Sequence, residues 1–339
     1  MYRRQKSLVL KGSSSALYNN LSALPLPAKQ LTYFATVQGG TVHLLSASAD
    51  GLSVSHRQLQ AKEGSLAAGT SILTQAAWCV LPSRSLLVVT SQKGIQMYEA
   101  DGSIMVYWHA LDASESSPGQ AVFARGIAAT GQRFVCVGTS LGCVLVFDIP
   151  CKGTNITLSE VLEEHRSAIT DIASPCPGCG LECGTLIDLV TADDAGALCA
   201  WRSGEEFQLV SKIPASGCPC SSVKLWNGVI MAGYGNGQIR LYEAAGGTLR
   251  AEVAAHARWI YALDLAPLSG KLLSGAEDSF VTVWGLTCNP DTEDIEIKHC
   301  QTECLTDTQI CGARFCDPEG STFAVTGYDL SEIIRYVQL

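Results

Sequence analysis

The chain has 339 residues, 47% hydrophobic and 16% charged, with a net charge of −9. That composition supplies a large core and excludes a disordered chain. The acidic balance speaks against nucleic-acid binding, which needs clustered Lys and Arg, because only Arg3-Arg4-Gln5-Lys6 is locally basic. No run reaches the ~18 apolar residues of a membrane-spanning helix, and Leu8-Val9-Leu10 is too short for a signal-peptide core. The expectation is a cytoplasmic protein without a transmembrane segment, whose 15 cysteines stay reduced and in part line strands, as at Cys136, Cys143 and Cys199. With 32 glycines and 12 prolines, the chain suits an all-β architecture with many tight turns.

Taken in order, the elements are short strands in pairs. Residues 7–11 read as a lone strand before the turn Gly12-Ser-Ser-Ser. A first inner pair spans 31–46 around Gln38-Gly39-Gly40, and 58–71 reads as a long polar loop. A second pair, 85–99, contains Tyr98 and is followed by an outer strand at 104–110 and a polar loop at 112–120. The third pair, 133–148, closes on Phe147-Asp148. The fourth unit opens on Glu164-His165, continues through a strand at 169–172 and reaches its inner pair at 189–201. The fifth pair, 229–243, carries Asn236 in its turn and Tyr242 near its end.

The sixth unit is the most explicit. Between Ala255 and Trp284 lie three short apolar segments, 260–265, 271–274 and 281–284, separated by turn residues. They form an antiparallel meander whose inner pair is 271–285. The seventh unit begins near Thr308, passes through 311–315 and ends with the pair 322–337. Seven anchors recur, Leu45, Tyr98, Phe147, Trp201, Tyr242, Trp284 and Tyr336, spaced 41 to 54 residues apart. Such a period marks a repeat architecture. The seventh unit runs out after three strands, so the strand at 7–11 is expected to supply its outer strand and hide the open edge.

Four polar residues punctuate the sixth unit: His256, Ser274, Asp278 and Trp284. An imidazole, a hydroxyl, a carboxylate and an indole N–H satisfy one another in a chain, which makes them tolerable inside a sheet. The fourth unit repeats the set as His165, Thr191, Asp194 and Trp201, with its aspartate seven residues before the tryptophan rather than six. Histidine, serine and aspartate together also suit a hydrolase. Ser274 lacks the strand-to-helix elbow of such a nucleophile, so both tetrads read as structural and no catalytic residue is assigned.

Four residue types at four offsets, with Ala255-His256 in place of Gly-His and Trp284-Gly285 in place of Trp-Asp, resemble the WD repeat. The resemblance implies one seven-bladed β-propeller over residues 1–339, closed by the N-terminal strand. It further implies a non-enzymatic scaffold for protein–protein interaction in intracellular signalling, self-associating as a homo-oligomer and recruited by its partners to vesicles or the plasma membrane. Two alternatives stand beside it: a substrate receptor of a ubiquitin ligase, and a propeller enzyme using the central channel. The receptors carry an arginine two residues beyond Trp-Asp; here Trp201 is followed by Arg202-Ser203 and Trp284 by Gly285-Leu286, so that motif is absent from these two units.

No cofactor is implied. Tyr234-Gly-Asn-Gly is a strand turn, not a phosphate-binding loop, which would join a strand to a helix. Cys176, Cys179 and Cys183 have the C-x2-C start of a zinc site, with Cys218 or Cys220 as a further ligand, but no second pair at proper spacing completes it. The loops of one propeller face are expected to present Arg166, Asp193, Tyr234, Asn236, Arg258, Trp259, Glu277 and Asp329 to other proteins, since Trp, Tyr and Arg dominate interface energetics.

Overall fold

A computed structural model describes residues 1–61, 71–112, 121–175, 187–288 and 295–339. Among them the regular structure is β-strand, apart from one 3-10 turn at Pro27–Lys29. The strands form seven sheets, six of them meanders of four consecutive strands and the last a three-strand meander joined by the N-terminal strands, and this is the blade pattern of an all-β, seven-bladed β-propeller.

Two compact units divide the chain. The first holds the first, sixth and seventh blades. Blade one is built of Ser22–Leu26, Leu31–Gln38, Thr41–Ser48 and Val54–Gln60. Blade six consists of Ile260–Ala266, Lys271–Ala276, Phe280–Cys288 and Ile295–Cys304, and blade seven of Ile310–Phe315, Thr322–Gly327 and Glu332–Gln338. The second unit holds blades two to four, which start at Leu73–Val80, Ala124–Thr130 and Ile169–Ala173. Blade five, Cys220–Trp226 through Leu249–Ala254, contributes strands to both.

The pairs expected to be innermost are the middle two strands of each blade. One further strand precedes each pair, and these leading strands pack on one another: Ile260–Ala266 on Ile310–Phe315 in the first unit, and Leu73–Val80 on Ala124–Thr130 in the second. Middle strands are covered on both faces, so they read as continuous apolar runs: Lys271–Ala276 is buried at five of six positions. Leading strands are instead built from small and polar residues that stitch neighbouring blades together. Gln75 Oε1 accepts from Gly126 N (2.9 Å), Asp171 Oδ2 from Val223 N (2.8 Å) and Asp264 Oδ2 from Phe315 N (2.7 Å). Thr170 Oγ1 donates to Cys220 O (2.5 Å).

The open edge of blade seven is covered by the N-terminal segment, over a longer stretch than residues 7–11. Tyr2–Arg4 pairs with the last strand, Tyr2 opposite Gln338 and Arg4 opposite Tyr336, and Leu8–Val9 continues along it opposite Ile333 and Glu332. Gln301, on the outer strand of blade six, imitates a strand partner: its Oε1 accepts from Tyr2 N (2.6 Å) and its Nε2 donates to Tyr2 O (2.9 Å). Leu8 is buried with Leu10, Phe34, Leu45 and Ile333, a burial that contributes roughly 1.5–3 kcal/mol. Arg335 adds a clamp by donating to the carbonyls of Ser48 and Ala49 (3.2 Å each). The loop expected at 58–71 begins later, because residues to Gln60 complete the outer strand of blade one.

Candidate interaction face

The blade-six tetrad forms one hydrogen-bonded chain. Trp284 Nε1 donates to Ser274 Oγ (2.9 Å), which sits 2.7 Å from His256 Nε2, while His256 Nδ1 lies 3.1 Å from Asp278 Oδ1. A neutral imidazole protonated at Nδ1 satisfies every member, with the serine donating to Nε2. Burial pushes the Asp278 carboxyl upward, but the bonds from His256 and from the backbone N–H groups of Ala257 and Phe280 outweigh it and hold the carboxyl below its ordinary range. Ser274 is wholly buried and its oxygen is shared between the indole and the imidazole, an arrangement suited to holding a turn. A groove of about 460 Å³ opens beside it, lined among others by Ala255, Phe280 and Thr302.

Blade four builds the same chain with a different carboxylate. His165 Nε2 lies 2.7 Å from Thr191 Oγ1, which accepts from Trp201 Nε1 (3.0 Å). His165 Nδ1 is 2.9 Å from Asp193 Oδ2, and Asp194 is exposed outside the network. Asp193 also accepts from the backbone N–H of Ala195 (3.0 Å) and Ala197 (2.8 Å). The assignment of Asp194 to the tetrad and of Asp193 to the interaction face is therefore reversed. Asp193 ends its strand, where the pleat turns its side chain inward, and its neighbour in the turn points out.

Of the residues expected on the face, Asn236, Arg258, Glu277 and Asp329 are exposed in the first unit, and Arg166 is exposed in the second. Tyr234 is not on it. The tyrosine is fully buried at the end of Val229–Tyr234, with the Arg240 guanidinium 4.9 Å above its ring. Trp259 is half-buried and tied to the Glu277 turn, Glu277 N donating to Trp259 O (2.9 Å). A Cβ on Gly235 would stand 2.9 Å from the Trp259 indole, so only glycine lets the ring lie this close to that backbone.

Sequence reasoning missed Tyr18, whose ring stacks on Trp259 with centroids 6.0 Å apart and planes 15° from parallel. It also meets Tyr261 edge-on at 4.9 Å. Asn19, in the left-handed backbone region at φ 51°, donates its N–H to Tyr261 O (2.8 Å), and Asn20 N donates to Cys311 O (2.9 Å). Residues 14–20 thus run across the ends of the leading strands. Nothing local to Tyr18 signals this, because its partners lie some 240 residues away.

Cys176, Cys179 and Cys183 fall outside the described residues. Among the described residues, no three His, Cys, Asp or Glu side chains gather as a metal site. Burial pushes the Cys79 thiol to about 12 and lifts Cys136 and Cys220 well above the usual value, so these thiols are held protonated. No helix among the described residues is long and apolar enough to cross a membrane.

Anchored tetrads on a seven-bladed sheet arrangement define a WD-repeat β-propeller protein. The comparisons place it further: a family model described as WDR54 matches residues 1–339, and the chain belongs to that family. It is 58% identical to WD repeat-containing protein 54 of Mus musculus and 59% identical to that of Homo sapiens, covering 99% of this chain and of each relative. Among solved structures, a chain of the crystal structure of the mitotic checkpoint complex is similar with a TM-score of 0.72 at 16% identity, over 98% of this chain and 91% of that one. The WD40 β-propeller domain of Doa1 gives a TM-score of 0.69 at 15% identity, over 100% and 98%. At such identities the structural likeness concerns the fold alone.

Proposed function

We propose that the protein is a non-enzymatic scaffold that binds protein partners through the face carrying Asn236, Arg258, Trp259, Glu277 and Asp329. The observation that carries this reading is the side-chain arrangement around Trp259. The half-buried indole adjoins the exposed Arg258, is tied by its carbonyl to the turn that presents Glu277, and packs on Gly235 beside the exposed Asn236. Interfaces concentrate their energy on such aromatic and arginine anchors inside a polar rim. Unpaired thiols among the described residues, such as Cys79 and Cys136, suit a reducing cytoplasm, which supports a cytoplasmic location for the scaffold.

The test is affinity capture from cells with the wild-type chain and with Arg258→Glu combined with Glu277→Arg, after melting curves show both are folded. Loss of a discrete subset of captured proteins in the variant is the expected result. Equal recovery of every protein by both chains would remove this face from the proposal.

A further inference from the structure

Resting on that reading, we infer that the groove beside the blade-six tetrad takes a basic side chain, arginine or lysine, from the protein partner, with Asp278 as its counter-charge.

The lining has the chemistry such a side chain needs. Ala254, Ala257, Phe280 and Thr302 are exposed around the groove, whereas His256 and Thr282 are buried. The alanines and the phenylalanine offer apolar surface to a methylene stem. Phe280 is 40% exposed, so its ring is open to a cation. It is also held in place. Ser279 before it lies in the left-handed backbone region at φ 73°, and its turn is pinned where Leu305 N donates to Ser279 O (2.8 Å) and Thr308 N to Ser279 Oγ (3.2 Å). The Thr282 and Thr302 hydroxyls, 2.9 Å apart, add further acceptors.

Asp278 supplies the charge. Its side chain lines the groove and is only 9% exposed. A carboxylate offers about four lone-pair positions, and three N–H groups use them here. His256 Nδ1 is shared between the two oxygens (3.1 and 3.2 Å), Ala257 N donates to Oδ2 (2.9 Å) and Phe280 N to Oδ1 (3.1 Å). One acceptor position is left over. Those bonds outweigh burial and keep the carboxyl below its ordinary range, so it is ionised at neutral pH. The imidazole that bonds to it is neutral in the tautomer that satisfies the tetrad, and among the described residues no lysine or arginine pairs with Asp278. Arg240 of blade five is engaged by Glu252 at 2.6 Å, and the exposed Glu277 next to Asp278 adds charge of the same sign. A nearly buried charge without a counter-ion is costly. The tetrad accounts for the carboxylate's bond to histidine and leaves its charge unbalanced, which a cation entering the groove would correct.

The experiment pans a displayed library of random peptides on the full-length wild-type chain, after depletion on a full-length chain carrying Ala254→Lys with Phe280→Ala. Peptides that survive should share an arginine or lysine. Citrulline in place of that arginine, or norleucine in place of that lysine, should weaken binding about ten- to hundredfold, the worth of a hydrogen bond to a charged group. Ala254 is exposed, so charge added there tests the sign without touching the tetrad. Ala254→Glu should tighten binding and Ala254→Lys weaken it, each about two- to fivefold. Should the depletion chain melt far below wild type, Ala254→Lys alone replaces it. Peptides with an acidic or purely apolar consensus, no enrichment at all, undiminished binding of the citrulline or norleucine peptides, or the same affinity for the Ala254→Glu and Ala254→Lys chains would each overturn the inference. Its failure is separable from failure of the scaffold reading. If Arg258→Glu with Glu277→Arg strips partners in the capture experiment while Ala254→Lys recovers all of them, the face binds proteins and the groove takes no part.

Discussion

Removing the Ser274 hydroxyl tests whether the blade-six tetrad holds its turn. Ser274 Oγ is the hinge of the chain, because it accepts from Trp284 Nε1 at 2.9 Å and lies 2.7 Å from His256 Nε2. Ser274→Ala changes the volume little and leaves two buried polar atoms unpaired. Each orphan costs about 1–3 kcal/mol, so the variant should lose about 2–6 kcal/mol in the cooperative unit that contains blade six. The internal control is Ser274→Thr. Blade four carries Thr191 at the equivalent place, at 2.7 Å and 3.0 Å from the same two partners, so threonine should stay within about 1 kcal/mol of wild type. Urea unfolding gives the magnitude as a lowered midpoint at constant slope. Hydrogen exchange at the Trp284 indole N–H gives a local readout, which should speed up in the alanine variant and not in the threonine one. A Ser274→Ala chain within about 0.5 kcal/mol of wild type, with the indole proton still protected, would refute the reasoning.

Two further outcomes follow from the same kind of accounting. Asp193→Asn should destabilise by about 1–3 kcal/mol, because it weakens the acceptor for His165 and two backbone N–H groups, whereas Asp194→Asn should stay within about 0.5 kcal/mol; equal melting temperatures for the two would contradict the assignment. The third outcome concerns pH. His43 is buried 3.4 Å from His56 under the N-terminal segment, and burial, then the neighbouring imidazole, lowers its pKa; burial and Lys11 lower that of His56. Because the folded values lie below the ordinary one, the stability linked to these groups is full above pH ~6.5 and is lost as the pH falls from there through the folded values. The loss is at most about 1.4 kcal/mol per pH unit for each proton taken up on unfolding. Melting temperature should drop between pH 7 and pH 5.5, and drop less in His43→Gln; a profile identical in the two chains would exclude His43 as the cause.

The repeat was legible because middle strands face apolar neighbours on both sides. Runs such as Lys271–Ala276 and Ser85–Ser91 therefore announce themselves without any knowledge of the fold, and each is followed by a buried anchor of blade periodicity. The blade-six tetrad was legible for a related reason, since its members sit at offsets fixed by one hairpin. Leading and outer strands were mostly illegible. Outer strands such as Thr157–Leu162 and Gln208–Ile213 are largely solvent-facing, with one fully buried residue each, so their apolar residues form no regular core-facing pattern. Leading strands such as Ala124–Thr130 are narrow and rich in small residues, which suit the crowded strand-on-strand contacts there.

What the sequence determined by itself is the set of local decisions: seven hairpins, their turns, the aromatic anchors and the polar residues that one hairpin can bring together. Tertiary structure decided everything that depends on which way a side chain points and what lies across from it. It chose Asp193 over Asp194, because a one-residue shift at a strand end reverses the side chain between core and solvent. It buried Tyr234, and it laid the N-terminal residues first along Glu332–Gln338 and then across to Trp259. Such contacts join residues hundreds of positions apart, and no local pattern encodes them, because the free energy that selects them comes from burial available only once the blades are assembled.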